Sequence, residues 1–341
     1  MEPGCGSETG WAQSRPATRG VEKVPAGTRP VVVIAEVLAA SCAEYLRNTC
    51  EVVEAAGEPR SRLLGLLSDA EGLVVRSGTR VDRELMDAAP RLRVVGRAGV
   101  GVDNIDLDEA TRRGILVANA PLANSISAAE HAFGLMLAQA RNIARADATI
   151  RAGRWDRAAF RGVELHGKTL GLVGMGRIGT LVAQRALAFG MSVLAYDPYI
   201  TADQARQAGA ELRDLDSLLA DSDFISLHLP RTPETENLLD AVAFGKVKAG
   251  VRIINASRGG IIDEEALAAA IRSGRVAGAA LDVFATEPLV GGPLVELPQV
   301  VLTPHLGAST TEAQDKAGLH VAESVVAALM GEPVPSAVNR V

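Results

Sequence analysis

The sequence predicts an α/β chain made of two parallel-sheet domains, and three observations carry that prediction. Short β-branched runs, "VVVIAEV", "GLVVRS", "LRVVGRAG" and "GILVANA", recur from residue 31 onward between alanine-rich helical stretches. A second, cleaner alternation of strand and helix begins at "KTLGLVGMGRIG". Runs that are apolar on both faces belong to sheets covered by helices on both sides, which are parallel sheets. A length of 341 residues suits about two domains.

Composition narrows the class. Apolar residues make up 48% and aromatics only 3%, as in a globular protein whose core is built from Ala, Val, Leu and Ile. The net charge of −6 and the lack of a Lys/Arg cluster argue against a nucleic-acid partner. No apolar run approaches the ~18 residues of a membrane span. Cys5, Cys42 and Cys50 form no ligand pattern, and so sparse a count fits the reducing cytoplasm without a disulfide framework.

Taken in order, residues 1–30 are rich in Gly, Pro, Ser and Thr without hydrophobic period, and are expected to be a disordered tail. They hold no apolar core of a signal peptide. A first strand–helix unit spans residues 31–123. The stretch "SISAAEHAFGLMLAQARNIARADATIRAG" then predicts one long helix, with Ser127 and Glu130 as a capping box. "GRWDRAAFRGVELHG" is a loop-like joint. Six candidate strands follow, "TLGLV", "SVLAYDP", "FISLHLP", "VRIINAS", "GAALDVF" and "VVLTPH". The last helix, "STTEAQDKAGLHVAESVVAALMGE", is expected to pack back on the first unit. The expected domains are therefore 31–123 with 305–341, and 124–304 inserted between them, with a cleft between the two.

The loop Gly174-Met175-Gly176-Arg177-Ile178-Gly179 follows a strand and opens a helix. In that context Gly174 permits a tight turn, Gly176 lets the backbone approach a pyrophosphate, and Gly179 lets helix and strand pack closely. The helix N-terminus offers free N–H groups to the phosphates. Asp197 ends the next strand, 23 residues after Gly174. Its carboxylate accepts from ribose hydroxyls and repels a 2′-phosphate, and no cation follows it. The inserted domain thus reads as a Rossmann-like dinucleotide-binding domain, and NAD is the expected cofactor. The domain it splits reads as a Rossmann-like substrate-binding domain.

Three later strand ends deliver Arg258, then Asp282 and Glu287, then His305. Ligands of open α/β sheets bind outside the C-terminal ends of the strands, so these side chains are expected to converge. An arginine grips a carboxylate through two parallel hydrogen bonds. A histidine accepts a hydroxyl proton near neutrality while hydride leaves the same carbon, and a neighbouring carboxylate orients it and raises its pKa. Each also has an ordinary alternative: Arg258 in a surface ion pair, Glu287 in a solvated turn, His305 as a strand-end residue. The remaining histidines, His131, His166, His228 and His320, are read as packing or surface residues. No two histidines have metal-ligand spacing, and no metal is expected.

These motifs identify a resemblance. "GLVGMGRIG", "AYDPY", "HLPRTPET", "NASRGGIIDEEAL", "GAALDVFATEP" and "TPHLGAST", spread through residues 31–341, resemble the D-isomer-specific 2-hydroxyacid dehydrogenases. Within that family the likeness is greatest to the branch that oxidises 3-phospho-D-glycerate to 3-phosphohydroxypyruvate in serine biosynthesis. The resemblance implies that His305 is the acid–base, Glu287 its partner and Arg258 the carboxylate clamp. It implies nicotinamide contact by Asp282 and cofactor contacts by Arg177, Ile178 and the backbone at Leu229 and Ala256. A further contact falls at Val100, where some relatives have threonine. Arg76, Ser77 and Arg97 would face the substrate with Asn124 nearby, and two extra guanidiniums suit a substrate with a second anion. Arg157 would reach a neighbouring subunit of a homodimer or homotetramer. The chain stops at "VPSAVNRV", where many such relatives continue into serine-binding domains, so feedback through such a domain is expected to be absent. The alternatives are reduction of glyoxylate, hydroxypyruvate or a phosphonate analogue such as phosphonopyruvate and, from another class, an NAD(H)-sensing corepressor-like interaction protein.

Overall fold

The computed structural model describes residues 29–341, so the expected tail lies outside the described residues except for Arg29 and Pro30. Two compact units divide the chain. One holds the described residues up to Asn119 together with Gly318–Val341, and the other holds Ala120–Ala317.

The first unit runs β1 (Val31–Ile34), α1 (Ala40–Arg47), β2 (Glu51–Glu54), α2 (Arg60–Leu66), β3 (Gly72–Val75), α3 (Arg83–Asp87), β4 (Val94–Arg97), α4 (Leu107–Arg112) and β5 (Leu116–Asn119). Its five strands lie in the order β2-β1-β3-β4-β5, all parallel. Strand β2, "EVVE", escapes the sequence pattern because its ends are charged; it is an edge strand with both glutamates exposed. Asp82 and Asp106 cap α3 and α4 through Leu85 N–H and Glu109 N–H, satisfying donors that a helix start leaves open.

The second unit runs α5 (Ser125–Ala140), α6 (Ile143–Arg151), β6 (Thr169–Val173), α7 (Arg177–Ala188), β7 (Ser192–Tyr196), α8 (Ala202–Gln207), β8 (Glu211–Leu212), α9 (Leu215–Asp221), β9 (Phe224–Leu227), α10 (Ala241–Lys246), β10 (Val251–Asn255), α11 (Glu264–Arg272), β11 (Val276–Leu281) and β12 (Val300–Leu302). The final helix α12 (Thr311–Met330) begins here and passes into the first unit at Gly318. The sheet has seven parallel strands in the order β12-β11-β10-β9-β6-β7-β8. Two-residue β8 is the addition to the six expected, too short to leave a hydrophobic signal. Consecutive residues face opposite sides of this sheet. Ile253 and Ala279 join one apolar cluster while Ile254 and Ala280 join the other, which is why these strands read as continuous apolar runs.

The predicted long helix is two helices. Asn142 adopts φ 55° between them, a left-handed conformation that asparagine tolerates better than most residues. Ser127 is not a cap: the residue before α5 is Asn124, and buried Ser127 places its Oγ 2.8 Å from Thr310 Oγ1. The expected joint carries one 3-10 turn, Ala158–Phe160. Helix α12 does pack on the first sheet. A Cβ on Gly96 of β4 would stand 2.5 Å from Val321 Cγ1 and 2.7 Å from Val325 Cγ2, so only glycine lets helix and strand approach this closely. The unit boundaries fall at 119/120 and 317/318 rather than 123/124 and 304/305. The segment after β12 therefore stays with the second unit, tied there by its bonds to Asp282 and Ser127. Among the described residues no helix is long and apolar enough to cross a membrane. Cys42 and Cys50 are buried and free, their thiols pushed up by burial to about 11.

Candidate active site

Strand β6 is flanked by β9 on one side and β7 on the other, so the chain reverses its direction of sheet growth there, and a ligand crevice opens at such a point. The glycine loop leaves β6 at this position. Gly174 has φ +94°, and a Cβ on it would meet His228 O at 2.6 Å; one on Gly179 would meet Gly174 O at 2.4 Å. At Gly176, by contrast, a Cβ would meet nothing within 4 Å. The loop is thus closed against the sheet and open on its outer side. Gly176 is the N-cap of α7 and has no side-chain bond, which leaves first-turn N–H groups for an anion. Arg177 is exposed and Ile178 half-buried at the same helix start.

Asp197 closes the loop from β7. Its Oδ2 accepts from Met175 N–H at 2.8 Å and its Oδ1 from Tyr199 N–H at 2.9 Å, leaving each oxygen a lone pair for a ribose hydroxyl. Behind the loop, His228 Nε2 lies 2.9 Å from Ser226 Oγ, and burial pushes its pKa down to about 4. It is therefore neutral near pH 7, and Leu229 beside it lines Gly174. An open glycine cradle followed by a carboxylate is what a dinucleotide requires.

The ends of β10, β11 and β12 align, with Asn255 opposite Leu281 and Leu281 opposite Leu302. Arg258, Asp282 and His305 follow these ends by one to three residues, so register alone brings them near one another. Arg258 is half-buried, Ala256 beside it nears the turn at Gly307, and Asp263 caps α11 by accepting from Glu265 and Ala266 N–H. His305 Nδ1 stands 2.8 Å from Glu287 Oε2, with side chains 47% and 35% exposed. Glu287 Oε1 accepts from Phe284 N–H at 3.0 Å. A carboxylate can only accept, so Nδ1 carries the proton and Nε2 is the atom free to take another.

The electrostatics follow from that pair. The Glu287 hydrogen bond raises the His305 pKa, against the opposing effects of burial and the Arg258 guanidinium. Burial works to raise the Glu287 carboxyl, but His305 and the Phe284 N–H outweigh it and hold it below the usual range. His305 has φ 55°, a conformation that costs a non-glycine residue about 1–3 kcal/mol. Its own N–H donates to Asp282 O at 2.9 Å and Thr303 O at 3.0 Å, which holds the bend.

Asp282 lies beneath this loop, its side chain 1% exposed. Oδ1 accepts from Thr303 Oγ1 at 2.6 Å and Leu306 N–H at 2.7 Å, and Oδ2 accepts from Gly307 N–H at 2.8 Å. Burial raises its carboxyl, but His131, Thr303 and Leu306 outweigh burial and keep its pKa low. The carboxylate expected to reach the nicotinamide also holds the backbone that carries His305. His131 completes the cluster, with Nε2 3.1 Å from Asp282 Oδ1 and 3.2 Å from Thr303 Oγ1. Sequence reasoning read His131 as an ordinary helix residue; 172 residues separate it from Thr303, and nothing local marks the pairing. Glu264, also missed, accepts from Ala285 N–H at 2.7 Å and braces the Glu287 turn from α11. Asn124 encloses its Oδ1 without a hydrogen-bond partner, a buried acceptor of the kind that ligands satisfy. Arg157 is exposed before the 3-10 turn.

The remaining expected residues lie in the first unit. Arg97 ends β4 opposite Val75 of β3, so Arg76 and Arg97 leave adjacent strand ends. The Arg97 guanidinium lies over Gly99, where a Cβ would sit 1.7 Å from its Nη1. Ser77 is exposed, and Val100 O accepts from Asn119 Nδ2 at 2.6 Å. No group of three His, Cys, Asp or Glu among the described residues is placed to hold a metal.

Comparison with known proteins agrees with this geometry. Residues 133–307 match the family model for the D-isomer specific 2-hydroxyacid dehydrogenase, NAD binding domain. The D-3-phosphoglycerate dehydrogenase of Mycobacterium leprae is 58% identical over 310 residues, covering 91% of this chain; the chain spans 59% of that relative's length. A crystal structure of a protein from Thermus thermophilus superposes with TM-score 0.83 at 37% identity, covering 91% of this chain and all of that one. The D-lactate dehydrogenase of Aquifex aeolicus, complexed with NAD and lactic acid, superposes with TM-score 0.75 at 30% identity, covering 89% and 96%. The chain belongs to the D-isomer-specific 2-hydroxyacid dehydrogenase family, and residues 133–307 are its NAD-binding domain.

Proposed function

We propose that this chain catalyses NAD-dependent oxidation of 3-phospho-D-glycerate to 3-phosphohydroxypyruvate, a step of serine biosynthesis, in the cytoplasm. The observation that carries the chemistry is His305 with Nδ1 spent on Glu287 and Nε2 free. Arg258 holds the substrate carboxylate through its guanidinium fork. Nε2 of His305 takes the C2 hydroxyl proton as the C2–H bond breaks, and Glu287 stabilises the imidazolium that forms. NAD, held by Gly174, Gly176, Arg177, Ile178, Gly179, Asp197 and the backbone at Leu229 and Ala256, supplies the hydride acceptor. Arg76, Ser77 and Arg97 take the phosphate, and Asn124 supports the substrate. The substrate assignment draws on the M. leprae relative, named D-3-phosphoglycerate dehydrogenase, and on the two arginines at adjacent strand ends.

A homodimer or homotetramer is part of the same proposal. Helix α6 buries none of its residues, and Ile143, Ile150 and Trp155 are exposed near Arg157, Trp155 at 85%. A covered apolar face is the simplest account of that surface. The likeness to the lactate-bound D-lactate dehydrogenase keeps reduction of another 2-oxo acid as the second reading.

A substrate panel tests the assignment: 3-phosphoglycerate and glycerate with NAD, and glyoxylate, hydroxypyruvate and phosphonopyruvate with NADH. Phosphoglycerate is expected to have the highest kcat/KM. Arg76→Ala is expected to raise KM for phosphoglycerate by about 10- to 100-fold, the loss of a charge-assisted bond, and to leave KM for glycerate nearly unchanged. Equal effects on both acids refute the phosphate role, and tight NADH binding without turnover of any acid would point to a sensing protein.

A further inference from the structure

The first unit contains a carboxylate that no step above uses. Strand β1 ends beside β3, Ile34 opposite Val74, so Glu36 and the segment Arg76–Thr79 leave the sheet side by side. Glu36 Oε1 accepts from Arg76 N–H at 2.8 Å and Thr79 N–H at 2.9 Å, and Oε2 accepts from Gly78 N–H at 3.1 Å. From the other side, Asn104 Nδ2 donates to Arg76 O at 2.8 Å and Thr79 O at 2.6 Å. Donors and acceptors of one four-residue loop are thus held by two side chains from elsewhere in the unit.

We propose that Glu36, backed by Asn104, is the positioning residue of the anion-recognition loop, and that it makes phosphate recognition depend on side chains rather than on backbone. This inference rests on the phosphoglycerate reading of Arg76, Ser77 and Arg97. Backbone N–H groups that converge on one point form a nest that binds anions. Glu36 fills that nest with a carboxylate of the chain itself, so a substrate phosphate is left to the guanidiniums and the Ser77 hydroxyl. A second anion next to a phosphate site also repels the ligand. That repulsion acts from a half-exposed position, where water and salt screen it. Three directional bonds setting the path of residues 76–79 are not screened in this way. Positioning therefore outweighs repulsion, and losing Glu36 weakens phosphate binding rather than improving it.

Glu36→Gln separates the two effects. The glutamine oxygen can still accept from Arg76 and Thr79, but its amide group meets the Gly78 N–H donor to donor. The full chain is assayed as wild type, Glu36→Gln, Glu36→Asp and Asn104→Leu, with 3-phosphoglycerate and with glycerate at saturating NAD. Glu36→Gln and Asn104→Leu are each expected to raise KM for phosphoglycerate about tenfold, the first by losing a bond at a charged acceptor and the second by losing two neutral amide–carbonyl bonds. The expected KM for glycerate and for NAD stays near the wild-type value, and Glu36→Asp, which keeps the charge and both acceptors, restores much of the phosphoglycerate KM. A fall in that KM on Glu36→Gln would mean that repulsion dominates and overturns the proposal. So would a KM that stays put, or one that rises equally for both acids while the melting temperature drops. A wild-type enzyme with no preference for phosphoglycerate over glycerate defeats the phosphate reading itself; a preference that Glu36→Gln leaves undiminished defeats only the role of Glu36.

Discussion

The loop that carries His305 and the loop that carries Arg76 both follow strands of a parallel sheet, and both close on one carboxylate. Asp282 receives Leu306 N–H, Gly307 N–H and the Thr303 hydroxyl; Glu36 receives Arg76, Gly78 and Thr79 N–H. They differ in burial. Asp282 is shut away from water with His131 against it, whereas Glu36 is half-exposed. A buried ionised carboxylate is costly unless fully bonded, so the Asp282 cluster holds its loop in one geometry or fails outright. The demands on the two loops differ in the same sense. Proton transfer needs His305 Nε2 within a hydrogen bond of one hydroxyl, while a guanidinium on a long side chain absorbs part of a backbone shift, so a lost brace weakens phosphate binding rather than abolishing it.

Four changes break or sharpen this comparison. The largest effect is expected from His305→Ala, which should lower kcat by about 10²–10⁴-fold and leave NADH affinity, read by fluorescence titration, unchanged. Near-normal turnover would remove His305 from the chemistry and the comparison with it. Next comes Asp282→Asn, which sets an amide N–H against a backbone donor in a buried site. Turnover should fall about 10- to 100-fold, with a lower melting temperature and more damage to kcat than to KM for the acid. Glu36→Gln is expected to show the reverse split. If Asp282→Asn instead raises KM for NAD alone, the carboxylate serves the nicotinamide and not the loop.

The smallest change is read on the pH axis. Glu287 raises the His305 pKa, and oxidation needs the imidazole neutral, so wild-type oxidation should rise with pH through a limb above the usual histidine value. In Glu287→Gln that bond loses its charge, the His305 pKa falls, and the acidic limb of kcat/KM for oxidation moves to lower pH. Turnover should also drop about tenfold as the ring loses its orienting anion. A limb that stays in place would assign the titration to another group.

Legibility followed locality. The glycine loop, Asp197 and the polar strand ends stood out because each couples a strand exit to a turn within a few residues. Strand β2 was hidden by charged ends and β8 by its length. The break at Asn142 carried no glycine or proline to announce it, and Ser127 looked like a cap because a capping box and a buried serine share one local pattern. His131, Glu264 and Glu36 could not be found in this way. Each acts on a backbone N–H or side chain 21 or more residues away, and no periodicity encodes such a pairing.

By itself, then, the sequence determined the class of the molecule: apolar runs on both faces demand covered parallel sheets, and residues that follow strand ends demand a ligand at those ends. Tertiary structure alone decided how the loops are held. Which carboxylate receives which N–H depends on the alignment of strands from distant parts of the chain, and on which charge is buried deeply enough that every bond to it must be made.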